Sequence, residues 1–100
     1  MPMPAFEEIR GILSLNMPEL RSGYGVNELG VFGSFVRDEQ TADSDVDILV
    51  SFERPVGFFD FMKLENHLSA LLGAKVDLVS RKALKPAIGC RILSEVRFVA

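Results

Sequence analysis

The stretch Val31–Val50, VFGSFVRDEQTADSDVDILV, decides how this chain reads. Gly33-Ser34 is followed by ten residues and then by Asp45-Val46-Asp47, which opens an apolar run. Residues 27–35, NELGVFGSF, read as a first strand ending at the Gly-Ser turn, and RDEQTADS reads as a polar loop. Residues 45–52, DVDILVSF, read as a second strand that becomes continuously apolar, as strands buried on both faces do. Side chains alternate along a strand, so Asp45 and Asp47 share one face, about 6.5–7 Å apart along the backbone.

That pattern suits phosphate and metal chemistry. Two carboxylates at i and i+2 can converge on one or two magnesium ions, which two-metal sites hold ~3.5–4 Å apart. Magnesium takes oxygen ligands and keeps waters or substrate phosphates in its shell. Asp77 alternates in the same way within KVDLVS, between Val76 and Leu78, and supplies a third carboxylate if its strand lies beside the second. Gly33 lets backbone approach a phosphate closely, and the Ser34 hydroxyl can donate to it. Arg37 lies just beyond, where a guanidinium can meet phosphate charge in bidentate fashion; the competing reading is a loop arginine paired to Asp38 or Glu39.

Outward from this stretch, helical and extended patterns alternate. Pro4 suits a first helical turn, and Phe6, Ile9, Ile12 and Leu13 give residues 4–14 an amphipathic helix. Asn16 as N-cap and Pro18 then open a short second helix through Leu20 toward Ser22, ended by Gly23 and Gly25. After Pro55 and Gly57, residues 58–72 read as a helix with Phe58, Phe61, Met62, Leu64, Leu68, Leu71 and Leu72 as its apolar stripe and Gly73 as its C-cap. Residues 75–80 read as a third strand, 83–95 as a last helix with Pro86 in its first turn, and RFVA as a short extended tail. The order α-α-β-β-α-β-α predicts a mixed α/β (α+β) fold, a small mixed β-sheet packed with helices, as a single domain over residues 1–100.

Composition narrows the function. One hundred residues suffice for one hydrophobic core, and 48% hydrophobic with 25% charged residues is a globular balance. The net charge of -3 opposes broad phosphate-driven binding of nucleic acid. Cys90 is the single cysteine, so no intrachain disulfide forms. The N-terminal MPMPAFEEIR lacks the apolar run of a signal peptide, and no segment has the roughly 18 consecutive apolar residues of a membrane span, so a cytoplasmic protein is expected.

The stretch Leu29–Phe52 resembles the signature of the minimal nucleotidyltransferase (MNT) family, within the DNA polymerase beta-like superfamily. Gly33, Ser34, Asp45 and Asp47 match its Gly-Ser, spacer, Asp-x-Asp pattern, Asp77 matches a later carboxylate, and Ser44 and Arg37 fit as well. Asp38 departs from it, standing where members often carry glycine. The resemblance implies a polymerase beta-like core with Asp45, Asp47 and Asp77 as the catalytic and Mg2+-binding set and Gly33 and Ser34 holding ATP. It also implies an antitoxin role, with AMP transferred from ATP to a tyrosine of a HEPN-domain RNase toxin.

Two other functions are weighed against this one. A non-catalytic antitoxin would neutralise its partner by occlusion, though it has no reason to keep three converging acids. A stand-alone nucleotidyltransferase acting on a small molecule or an RNA end is disfavoured by the acidic balance and the lack of room for an acceptor domain. In the FFDFM run, Phe58–Met62, large side chains either fill the core or form an exposed interface. His67 is expected at the surface or partly buried rather than in catalysis, Cys90 as a small buried residue, and Glu65 and Glu95 as ordinary helix-surface charges.

Overall fold

Alternation along the strands builds the sheet and gives it two unlike faces. The computed structural model describes residues 5–41 and 43–99. Strands β1 (Val26–Phe32), β2 (Val46–Phe52), β3 (Val76–Ser80) and β4 (Arg97–Phe98) form one sheet in the order β3-β2-β1-β4. β1 runs antiparallel to β2 and to β4, while β2 and β3 are parallel. One face carries Leu29, Val31, Val46, Ile48, Val50, Val76 and Leu78, all buried in the main core. Against it pack α1 (Phe6–Tyr24), through Ile9, Leu13, Met17 and Leu20, and α3 (Phe58–Leu72), through Leu64, Leu68 and Leu72.

The expected break between two N-terminal helices does not occur: α1 is one helix of 19 residues with Pro18 inside it. Asn16 is not a cap, because its Nδ2 donates to the Ile12 carbonyl at 2.8 Å within the helix. Proline in a helix interior costs about 3 kcal/mol. Pro18 is exposed, however, and the buried Met17 and Leu20 flank it and continue the stripe set by Ile9 and Leu13, so packing outweighs the local cost. Gly25, at φ 70°, ends the helix, its N–H bonding to the Arg21 carbonyl. Pro4 lies outside the described residues.

Two further boundaries move for local reasons. β1 stops at Phe32, and Ser34–Arg37 form a single helical turn, α2, that turns Phe35 into the core. The closing helix, α4 (Pro86–Glu95), starts at Pro86 rather than at 83, after a 3-10 turn over Arg81–Ala83. A residue before proline is pushed out of the helical region, and Lys85 is extended at φ -75°, ψ 150°. Cys90 on this helix is exposed, not buried. The tail is a strand: Arg97 and Phe98 pair with Val31 and Gly30.

On α3 the FFDFM run divides. Phe61 sits half-buried, edge-on to Phe52 at 6.3 Å, whereas Phe58 and Phe59 are 72% and 79% exposed and Met62 is partly exposed. The buried stripe is therefore narrower than the sequence suggests, with Leu64, Leu68 and Leu72 at its centre. Glu65 also departs from its expected role as a plain surface charge. It accepts a hydrogen bond from the Leu78 N–H at 2.9 Å, and Ser69 accepts one from the Val76 N–H at 3.1 Å. β3 is an edge strand, so α3 satisfies two backbone donors that the sheet leaves open.

Candidate active site

The opposite face of the sheet carries the candidate site. In the ladder registers Phe32 pairs with Asp47, and Asp47 with Asp77, so these three residues stand side by side across three strands. Cross-strand neighbours share a face, which puts both carboxylates on the side away from α1 and α3. Asp45 precedes β2 on the same alternation; its Oδ2 lies 4.0 Å from Lys75 Nζ. Asp77 is exposed, while Asp45 and Asp47 are half-buried.

The acids perturb one another. Burial, followed by the charges of Asp77 and Asp45, pushes the Asp47 carboxyl up to about 6; Arg37 pulls it back only in part, and Glu95 adds a further upward push. A carboxylate raised in this way is short of positive charge, the electrostatic setting a divalent cation relieves. Among the described residues no three His, Cys, Asp or Glu side chains are grouped so that they could hold a metal ion by themselves. The donor set is nonetheless all oxygen and open to water at Asp77, which fits magnesium completing its shell with phosphate and water rather than with protein alone.

Gly33 is tied to Asp47 directly. Its φ is 80°, in the left-handed region, and a Cβ placed there would lie 2.1 Å from Asp47 Oδ2. Both facts demand glycine at this position. The Gly-Ser turn and the Asp-x-Asp pair therefore meet as the spacing predicted, with Ser34 half-buried at the start of α2.

Glu95 belongs to this cluster, although the sequence reads it as an ordinary surface charge. Its Oε2 accepts the Gly33 N–H at 2.8 Å, and its Oε1 accepts Arg37 Nη1 at 2.8 Å. Arg37 also donates from Nε to Glu39 Oε1 at 2.6 Å, so the competing loop-pairing reading holds for Glu39 and not for Asp38. Burial pushes the Glu95 carboxyl up, but the Gly33 N–H and the Arg37 guanidinium outweigh it and hold the group below the usual carboxylate range. Asp38 instead takes a left-handed conformation, φ 59°, ending α2. That backbone angle explains why glycine suits this position, and Asp tolerates it better than most residues. His67 takes no part here: it is partly buried on α3, stacked on Tyr24 at 5.4 Å.

A nucleotidyltransferase domain family model matches residues 17–99, the whole of this arrangement. This chain is a nucleotidyltransferase. Protein adenylyltransferase MntA of Thermococcus cleftensis is 50% identical over 99% of the chain and 100% of its own length. A solved structure described as a minimal nucleotidyltransferase superposes with a TM-score of 0.79 at 34% identity, covering 94% of this chain and 95% of that one. The MNT antitoxin fold complexed with a tri-AMPylated HEPN toxin of Shewanella oneidensis gives a TM-score of 0.67 at 16% identity, over 91% of this chain and 71% of that one, a likeness of fold. The nucleotidyltransferase thus has the mixed α/β fold the sequence predicts, a four-stranded mixed sheet packed by helices. Among the described residues no helix is long and apolar enough to cross a membrane.

Proposed function

We propose that the chain is a single-domain cytoplasmic protein adenylyltransferase that transfers AMP from ATP to a tyrosine of a HEPN-type toxin and serves as that toxin's antitoxin. The observation that carries this reading is the in-register pair Asp47 and Asp77, with Gly33 pressed against Asp47. The activity named for a relative 50% identical over the full chain, and the toxin–antitoxin complexes that share the fold, support it further.

In this reading Asp45, Asp47 and Asp77 hold magnesium, which when bound neutralises phosphate charge and polarises the phosphoryl oxygens. Gly33, Ser34 and Arg37 orient the triphosphate, and Asp77, the most open of the three acids, takes the proton of the attacking phenol. The phenol oxygen bonds to the α-phosphorus as its bond to pyrophosphate breaks. Such a transfer asks the protein chiefly for positioning and charge stabilisation. The acidic net charge gives no support to a nucleic-acid acceptor.

A second reading, neutralisation by occlusion alone, is favoured by one observation, the exposure of Phe58 and Phe59 on α3. The deciding experiment incubates the full chain and its co-purified partner with ATP labelled at the α-phosphate and, in parallel, at the γ-phosphate. Label reaching the partner from the α position alone, and lost in Asp47→Asn, is the expected result. A tight complex that takes no label would leave occlusion as the function.

A further inference from the structure

Two donors beside the Gly-Ser turn, the Gly33 N–H and the Arg37 guanidinium, are engaged by a carboxylate from the other end of the chain. Gly33 has one N–H, and it bonds to Glu95 Oε2; Arg37 presents Nη1 to Glu95 Oε1 and Nε to Glu39. Glu95 therefore spans a backbone donor and a guanidinium with its two oxygens, the same two-point geometry that a phosphate oxygen pair offers.

The fold delivers Glu95 there by close packing. Glu95 is the last residue of α4, and the chain crosses through Val96 straight into β4 beside Gly30. A Cβ on Gly30 would lie 2.6 Å from Val96 Cγ2 and 3.1 Å from Phe98, so glycine at 30 is what lets this junction lie on β1. The charge balance points the same way. Glu95 adds to the negative charge already raising the Asp47 carboxyl, and a triphosphate brought beside it would meet like charge.

We infer that Glu95 is a resident stand-in for phosphate: it keeps Gly33 N–H and Arg37 in place while the site is free, and triphosphate binding exchanges it off Arg37. The inference rests on the reading that this cradle takes a triphosphate, and it adds a residue outside the Gly-Ser and Asp-x-Asp motifs that sets nucleotide affinity. Glu95 would act through Arg37 and Gly33 rather than on the reacting atoms, which makes it a positioning residue. It tunes affinity downward, so that product pyrophosphate is also released more readily.

The test is binding of inorganic tripolyphosphate, with magnesium, to the full chain and to Glu95→Gln, measured by calorimetry, with the 15N shift of Arg37 Nε followed in parallel. Glu95→Gln keeps the shape and an acceptor for Gly33 but removes the charge. Binding about tenfold tighter is expected, the loss of one competing charged contact. In the wild type the Arg37 signal should move on adding tripolyphosphate, and in Glu95→Gln it should be shifted before any is added. Glu95→Asp, charged but shorter, should fall between the two. Equal or weaker binding by Glu95→Gln would overturn the inference, as would failure of either protein to bind tripolyphosphate. Label transfer from ATP to the co-purified partner, measured with the same protein preparations in the absence of tripolyphosphate, separates the two readings. Tighter binding without any transfer would leave Glu95's role standing and refute the adenylyltransferase. Normal transfer with unchanged affinity would do the reverse.

Discussion

The two faces of one four-stranded sheet have been given opposite tasks by the same alternating strands. Toward α1 and α3, every second residue of β2 is aliphatic and buried: Val46, Ile48 and Val50. Toward the other side the intervening residues are Asp47, Leu49 and Ser51, of which only Leu49 is fully buried, in the row of Gly30. The difference shows how a chain this small folds while keeping an electrostatically costly site. Hydrophobic stabilisation is concentrated on one side, at roughly 25 cal/mol per Å2 of apolar surface removed from water, and the charged cluster stands on the other side, where Asp77 is open to water.

The largest effect should come from the charged face. Asp47→Asn should lower AMP transfer by on the order of 10³-fold, the scale expected when several kcal/mol of charge stabilisation is removed. The same change should make the metal-free chain more stable at pH 7. The Asp47 carboxyl titrates at about 6 when folded against 3.8 for a free aspartate, so the folded chain binds more protons between those values. Its stability is therefore greatest below pH 3.8 as far as Asp47 is concerned, and falls as pH rises through 6. Discounting for partial exposure, about 1–2 kcal/mol should be recovered by Asn at pH 7 and little at pH 4. Urea denaturation at the two pH values measures it. A folded Asp47→Asn protein that still transfers AMP would break the division of faces.

The core face should respond in the opposite sense. Leu68→Ala, at a fully buried position on α3, should cost about 2–5 kcal/mol of stability. Below its melting temperature, the folded fraction should retain normal ATP affinity. Measuring both quantities on one preparation sharpens the contrast, because a parallel loss of affinity would mean that the faces are mechanically coupled.

Much of this division was legible before the fold was seen. Period-two alternation put Asp77 on the face of Asp47 provided the third strand lay beside the second, as the parallel register shows it does, and the ten-residue spacer placed Gly33 near Asp47. The helix 58–72 and its Gly73 cap also followed from local pattern, and Gly73 has φ 62°. What escaped the sequence depends on contacts between distant segments. Glu95 meets Gly33 across 62 positions, and no local signal separates it from any other helix-end glutamate. Glu65 reads as a surface charge until β3 is seen to be an edge strand with an open N–H beneath it. Pro18 reads as a helix start because propensity is local, whereas the stripe that overrides it is completed only by the sheet.

Glu65 gives a smaller test at the boundary between the faces. Glu65→Ala would strand the Leu78 N–H at the sheet edge, costing about 1–2 kcal/mol. Glu65→Gln retains an acceptor and should cost less than half as much. Thermal melts of the pair would distinguish a hydrogen-bonding role from a general charge effect, since a charge effect would make the two variants equal.

The smallest change in stability should come from Phe59. Its ring is 79% exposed and lies edge-on to the equally open Phe58 at 5.8 Å, so neither stands in the core that α3 forms through Leu64, Leu68 and Leu72. Substitution at such a position is usually worth no more than about 0.5 kcal/mol either way. Phe59→Ser should therefore leave the denaturation midpoint and ATP affinity unchanged. If these rings meet the protein acceptor, the same variant should lower AMP transfer by raising the acceptor concentration needed for half-maximal rate, with the maximal rate kept. Exposed aromatic side chains are frequent anchors of protein interfaces, and truncating one can cost 2 kcal/mol or more in binding, roughly 30-fold. A Phe59→Ser chain that destabilises by as much as Leu68→Ala would instead place the ring in the core and move the boundary between the two faces. One that modifies its acceptor as efficiently as the wild type would send the search for the acceptor surface to the open side of the sheet, around Asp77.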